Sequence, residues 1–393
     1  MIRRTAIVVV AALALAACTP VARSVPNQPA ATVTSPCVPV GRWVDPELRA
    51  PLTTRALLPR LAETRVVLLG EAHDRVEHHA WQLHTLAALV AARDDVVVAF
   101  EMLPRRAQSS LDQWVAGDLD ERAFLEAVDW PSVWGMPAAL YLPLFRFVRL
   151  HRLPAAAINV DRSLVTRVGD VGWAALTADE RSGLADPAPA PAPYRAWLAE
   201  VFGDHTDEDQ PIDVTALDRF VDAQLVWDRA FAEGIVAALE RHPDAVVAAI
   251  VGGGHVQHGW GIEHQLADLG IDDVLALLPW DAGADCNKLV AGIADAVFGV
   301  EPTGATAADP PRLGVLIVAD ERGVRAAHVS AGGIASAAGV EDGDVILEAA
   351  GMAIESPADL QEIVARQAPG TWLPLRIARD GREIEKVARF PPR

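Results

Sequence analysis

Val66-Val67-Leu68-Leu69-Gly70-Glu71-Ala72-His73-Asp74 is the stretch on which the fold turns. Four consecutive apolar residues read as a strand buried on both faces, as in a parallel sheet, and Gly70 is expected to end it at a sharp turn. Glu71 and His73 then emerge at the strand's carboxyl end, where open α/β sheets place ligands because the loops leaving the strands converge there. Two later stretches repeat the arrangement: Val96 to Phe100 runs into Glu101, and Ala245 to Val251 runs into Gly252-Gly253-Gly254-His255. As parallel strands of one sheet they bring Glu71, His73, Glu101 and His255 to one edge. A polar residue after an apolar strand also arises as a plain helix cap. Three such strands in one chain favour a shared site.

Outward from these strands, Val76, His79, Ala80, Leu83, Leu86, Ala87 and Val90 recur at helical spacing and place His79 on an inward face. His78 and Gln82 fall on another. From Pro104 to about Leu150 the pattern is helical and rich in aromatics. Trp130, Trp134, Tyr141, Phe145 and Phe147 form a cluster that serves either as core or as the lining of a cleft for a flat apolar ligand. Ala155 to Val160 and Val274 to Pro279 are further strands, the second of them expected to be the last. Tyr194 to Phe202 and Asp213 to Arg241 are helical. The class is α/β: a parallel sheet flanked by helices, with an inserted helical subdomain, followed by a small β-rich domain.

The chain starts with Arg3 and Arg4, a short apolar run and Leu15-Ala16-Ala17-Cys18. This ending resembles the bacterial lipoprotein signal, which implies a signal peptide over 1–17, acylation of Cys18, and membrane attachment by lipid in the cell envelope. Thr19, in place of Asp, leans toward the outer membrane facing the periplasm in a Gram-negative source. Residues 18–44 read as a flexible tether. Acylation of Cys18 leaves Cys37 and Cys286 available for one disulfide clasping both ends of the first domain in an oxidising compartment. A formal net charge of −19 argues against a nucleic-acid partner, because phosphate binding needs clustered Lys and Arg. The glycines after Val251 fit neither Gly-x-Gly-x-x-Gly nor a P-loop, and no Cys-x-x-Cys-His is present for covalent haem.

Gly70-Glu71-Ala72-His73-Asp74 with His78-His79 and Gln82, Phe100-Glu101-Met102, Leu111-Asp112-Gln113-Trp114, Trp134-Gly135-Met136-Pro137, Tyr141-Leu142-Pro143-Leu144, Phe202 with His205, Gln224 with Trp227-Asp228, and Gly254-His255-Val256 resemble the ChaN-like proteins across about residues 45–285. These are haem-binding, iron-regulated lipoproteins of the Tiki superfamily. The resemblance implies haem binding and a part in haem or iron uptake, and it admits a homodimer enclosing haem. Haem needs axial ligands and an apolar slot, for which Tyr141 and His79 are the expected residues. In the Tiki-type metalloproteases and erythromycin esterases of the same superfamily, Gly-x-x-His and Gly-x-His motifs pair with an intervening Glu. Carried onto this sequence, those positions are His73, Glu101 and His255, which would hold a divalent metal, Zn or Mn, while Glu71 would serve as general base toward water.

After an α/β domain over 45–300 and a linker over 301–312, residues 313–393 change character. Leu313-Gly314-Val315-Leu316, Ala338-Gly339-Val340 and Gly343-Asp344-Val345-Ile346 resemble a PDZ domain of the bacterial protease-associated kind. In such a domain the loop Leu313 to Leu316 presents backbone N–H groups to the carboxyl terminus of a partner, which adds as a strand. Asp344 reads as a turn residue. Two functions remain open at this level: a haem-binding envelope lipoprotein docked to a partner through its PDZ domain, and a metal-dependent hydrolase that recruits protein substrates the same way.

Overall fold

The computed structural model describes residues 36–203, 213–303 and 312–391. Cys18, His205, most of the expected tether and most of the expected linker lie outside them. No helix among the described residues is long and apolar enough to cross a membrane.

The first domain is built on eight strands: β1 Trp43–Asp45, β2 Ala50–Leu52, β3 Val66–Glu71, β4 Val96–Pro104, β5 Ala155–Asn159, β6 Val246–Gly252, β7 Val274–Asp281 and β8 Ala296–Val300. Their order across the sheet is β2-β1-β8-β7-β3-β6-β4-β5. β8 through β5 run parallel, and β1 pairs antiparallel with both β2 and β8. The expected strands thus share one sheet, with two corrections at its margin. β7 is not the last strand, because Ala296–Val300 follows it, and the short β1–β2 hairpin extends the sheet beyond β8.

Strand residues alternate between two apolar layers. Val67, Leu69, Val98, Phe100, Ala248 and Ile250 face one core, and Val66, Leu68, Val97, Ala99, Val247 and Val251 face the other. Both faces are therefore buried, which is why the strands read as unbroken apolar runs. The first layer packs under the helices Val76–Ala92 and Ala138–His151. There Phe145 meets Phe100 at 4.6 Å and Phe124 at 5.1 Å between ring centres. The aromatic cluster is mostly core, with Trp134 at its margin. The second layer is covered by the helix Val214–Arg241, whose Asp213 cap accepts hydrogen bonds from the Thr215 and Ala216 amides.

Gly234 lies in the middle of that helix, where helix propensity alone favours alanine by about 1 kcal/mol. A Cβ there would stand 2.6 Å from Ile158 Cβ and 2.9 Å from its Cα, so the helix approaches β5 too closely for any side chain. Gly234→Ala is expected to lower stability by about 1–2 kcal/mol in urea unfolding, the overpacking outweighing the gain in propensity.

Gly70 is also there for close approach, not to turn the chain. β3 continues through it to Glu71, and a Cβ would lie 2.3 Å from Leu278 Cδ2 and 3.2 Å from Gly253 Cα. At the far margin of the sheet, Cys37 and Cys286 form a disulfide with their Cα atoms 5.7 Å apart.

The second domain has its own core and an antiparallel sheet of β9 Val315–Asp320, β10 Gly323–Val329, β11 Val345–Ala349, β12 Met352–Ala353, β13 Trp372–Arg379 and β14 Arg382–Arg389. The order is β14-β13-β11-β10-β9, with β12 on β11. Asp344 is more than a turn residue. It is buried, accepts two hydrogen bonds from Arg379 at 2.7 Å, and has its pKa lowered because the guanidinium outweighs burial.

Candidate functional site

The register of the sheet sets Glu71 beside Gly252, and Phe100, just before Glu101, beside Ile250. The carboxyl ends of β3, β6 and β4 therefore form one edge. His73 and His255 follow in the loops after β3 and β6, and with Glu101 they line an open cleft of about 340 Å³. Its apolar wall includes Val133, Trp134, Met136 and Trp227.

Glu71 sits beneath the cleft with its side chain fully buried. His73 Nδ1 donates to Glu71 Oε1 at 2.7 Å, and the Tyr141 hydroxyl donates to the same oxygen at 2.9 Å. His79 Nδ1 lies 2.7 Å from Glu71 Oε2 without the alignment of a hydrogen bond, and is also 3.2 Å from Gln82 Oε1. Burial alone would raise the Glu71 pKa, but the His73 hydrogen bond and the close His73 and His79 imidazoles prevail and hold it at about 2. For His73, burial opposes the charged form, and the Glu71 bond together with the charges of Glu101, Glu71 and Asp74 brings its pKa to about 9. A carboxylate this acidic is a poor base toward water. Its evident effect is to fix the His73 ring, so the general-base expectation for Glu71 gives way to a positioning role.

A second histidine is held in the same manner. His255 Nδ1 donates to Asp228 Oδ1 at 2.7 Å, and the Tyr194 hydroxyl donates to Asp228 Oδ2 at 2.8 Å. Burial disfavours the charged form of His255, yet Asp228 more than offsets this and raises its pKa. Between the two histidines, burial raises the pKa of Glu101, whose Oε2 accepts the Gly252 amide. A Cβ on Gly252 would stand 3.3 Å from His73 Nε2 and 3.6 Å from Glu101 Oε2, so this glycine leaves the two groups room to converge.

Tyr141 and His79 are 0% and 2% exposed and do not line the cleft. Their expected role as direct ligands is corrected to that of supports for Glu71 and His73, since His79 Nε2 also faces the His73 carbonyl at 3.1 Å. Among the described residues no group of three or more His, Cys, Asp or Glu side chains stands ready to hold a metal ion. Of the expected metal set, His73 and His255 each give Nδ1 to a separate carboxylate, and Glu101 takes the Gly252 amide.

The inward face of the helix Val76–Ala92 differs from the apolar reading: it buries His78, His79, Gln82, Thr85, Leu86 and Leu89, while Val76 is exposed. Gln82 bonds to the Leu69 carbonyl at 2.9 Å, and His78 joins the Ala72 amide to Asp281 at 2.9 and 3.0 Å. Sequence reasoning gave no role to Tyr194, or to Asn159, whose amide binds the Glu101 carbonyl at 2.8 Å. Asn159 at the end of an apolar strand was the available signal.

In the second domain Leu313 is packed in the core, and Gly314, at φ +74°, accepts the Ser330 amide at 2.8 Å. Val315 and Leu316 open β9, an edge strand that pairs with β10 alone among the described strands, and Leu316 is exposed. Such an edge is free to receive an added strand.

The family model described as haem-binding uptake, Tiki superfamily, ChaN, matches residues 57–266, and the PDZ domain model matches 311–386. No curated protein matches the chain. The solved structure of Campylobacter jejuni ChaN, which shows cofacial haem binding, is similar in fold with a TM-score of 0.50 at 20% identity, over 65% of this chain and 95% of that one. A serine endoprotease from Yersinia pestis is 28% identical over 20% of this chain and 28% of its own, with a TM-score of 0.19. An erythromycin esterase, EreC, in its open conformation is 13% identical over 58% of this chain and 72% of its own, with a TM-score of 0.37. The ChaN model spans more than half of the residues, and the chain belongs to the ChaN haem-binding uptake family of the Tiki superfamily, with a PDZ domain at its carboxyl side.

Proposed function

We propose that this protein binds haem in the cleft at the ends of β3, β6 and β4 and serves haem or iron uptake at the cell envelope, with its PDZ domain docking a partner by that partner's carboxyl terminus. The observation that carries the reading is the His73–Glu71 pair at the cleft. With Nδ1 bound to a carboxylate, the Nε2 of neutral His73 is the nitrogen left for iron, an orientation that carboxylates commonly impose on ligating histidines. Trp134, edge-on to the His73 ring at 4.9 Å, and Met136 and Trp227 supply apolar wall for a flat macrocycle. Haem, when bound, would supply an iron that His73 could hold, while the chain's own residues orient His73 and would cover part of the macrocycle.

The lipoprotein-like start ending in Cys18 and the Cys37–Cys286 disulfide support an envelope location, with lipid as the membrane attachment. Haemin titrated into the soluble form beginning at Thr19 is expected to give a saturable, shifted Soret band. A spectrum that remains that of free haemin at every ratio would overturn the haem reading.

A further inference from the structure

We propose that a second cavity, walled by Trp173, Pro187, Pro189, Val221 and Leu225, binds small organic ammonium ions with an apolar body, and that Asp222 receives the ammonium group. The inference stands apart from the haem reading, because this cavity and the cleft share no lining residue.

The cavity measures about 340 Å³, at the small end of the range for small-molecule sites. On one side the helix Val214–Arg241 contributes Val221, Asp222 and Leu225. On the other, the stretch before the helix Ala192–Gly203 contributes Pro187, Pro189 and Ala190. Both walls are held in place. Buried Gln265 takes the Ala188 amide on Oε1 at 2.8 Å and gives Nε2 to the Ala188 carbonyl at 2.9 Å, which pins the chain between the two prolines. Trp173 is buried and gives Nε1 to Asp186 Oδ1 at 2.9 Å. Proline has no N–H, so Pro187 and Pro189 bring no donor to the cavity.

Charge decides what such a cavity takes. Asp222 Oδ2 accepts the Trp173 amide at 2.9 Å, and Oδ1 has no partner among the described residues. The nearby guanidinium groups are engaged elsewhere. Arg195, the other charged residue on the wall, pairs with Asp218. Arg181, stacked 4.7 Å over the Trp173 ring, pairs with Asp186 at 2.7 Å. Arg219, one turn before Asp222, donates to the Asp170 carbonyl at 2.6 Å and forms no ion pair with Asp222. One carboxylate oxygen is therefore left open on an apolar cavity. A neutral ligand that displaced water from it would leave the carboxylate without a donor, whereas an ammonium supplies a charge-assisted hydrogen bond. The wall holds no second unpaired acid for a dication, so the geometry selects one positive charge on a hydrocarbon or aryl body. The net charge of −19 raises the local concentration of cations and so favours the same class.

The test is calorimetric titration of the intact haem-free protein with phenethylamine and with 2-phenylethanol, its neutral counterpart. The wild type is expected to bind the amine about tenfold more tightly than the alcohol. Asp222→Asn keeps an oxygen for the Trp173 amide and removes the charge, and it is expected to abolish the preference by weakening the amine alone. Glu101→Gln, in the haem cleft, is the comparison: loss of amine binding there instead of in Asp222→Asn would place the amine in the cleft and overturn the proposal. Equal affinity for amine and alcohol, a preference that survives in Asp222→Asn, or no binding of the amine would also overturn it. Should Asp222→Asn not fold, Ala190→Phe, which narrows the cavity from the opposite wall, is expected to remove amine binding, and retention of that binding would count against the site.

Discussion

Haemin added to the His73→Ala protein is expected to keep the broad absorption of the free pigment, with affinity reduced about a hundredfold. His255→Ala serves as the comparison, since both histidines line the cleft and both are held by carboxylates. The stronger test is pH. His73 in the folded protein loses its proton only near pH 9, and iron must displace that proton to bind. Affinity should rise about tenfold per pH unit between pH 6 and 8 and level off above about pH 9. In Glu71→Gln the bend should move down from about 9 toward the ordinary histidine range, because the hydrogen-bonded carboxylate that contributes most to raising the pKa is gone while Glu101 and Asp74 remain. A flat pH profile in the wild type would sink the assignment of His73.

The same two groups predict how the ligand-free protein responds to pH. The raised pKa of His73 contributes stability that is present below its unfolded value of 6.5 and is lost as pH rises through about 9. The lowered pKa of Glu71 contributes stability that is present above 4.5 and is lost as pH falls toward 2. Both contributions are therefore complete between about pH 4.5 and 6.5, and urea midpoints should show a plateau there that Glu71→Gln lowers.

The second large effect lies in the disulfide. Cys37 and Cys286 are 249 residues apart, and a cross-link closing so long a loop restricts the unfolded chain by about 5 kcal/mol in the chain-entropy account. Reduction, or Cys37→Ser with Cys286→Ser, should lower both the Tm and the urea midpoint clearly. Equal midpoints with and without reductant would mean that the pairing of β1 with β8 and the burial of Val38 hold the N-terminal segment unaided.

The sheet and the location of its ligand edge were legible because Val66 to Leu69, Val96 to Phe100 and Ala245 to Val251 are apolar without interruption, and only strands covered on both faces read that way. What the site residues do was far less legible. Helical phase read from apolar residues misplaced the inward face of Val76–Ala92, because Gln82 and His78 are buried to bond backbone and Asp281, a partner 203 positions from His78. Tyr141 and His79 carried the right residue types for ligands, yet only the fold shows that they stand behind Glu71. Asp228 meets His255 and is itself held by Tyr194 from a different helix, a convergence no local pattern encodes. Gly70 looked like a turn because sequence cannot show that Leu278 is packed where its side chain would be.

The bond between Cys37 and Cys286 also decides how the domain carries tension. Cys37 lies at the start of the described chain, and Cys286 lies in the connection between β7 and β8, inward of the β1–β2 hairpin. A pull on the residues before Pro36 enters the fold through a covalent link and loads that connection directly. β1 and β2 at the margin of the sheet are bypassed, so the strands that would otherwise peel away first bear no load until the sulfur–sulfur bond is cut.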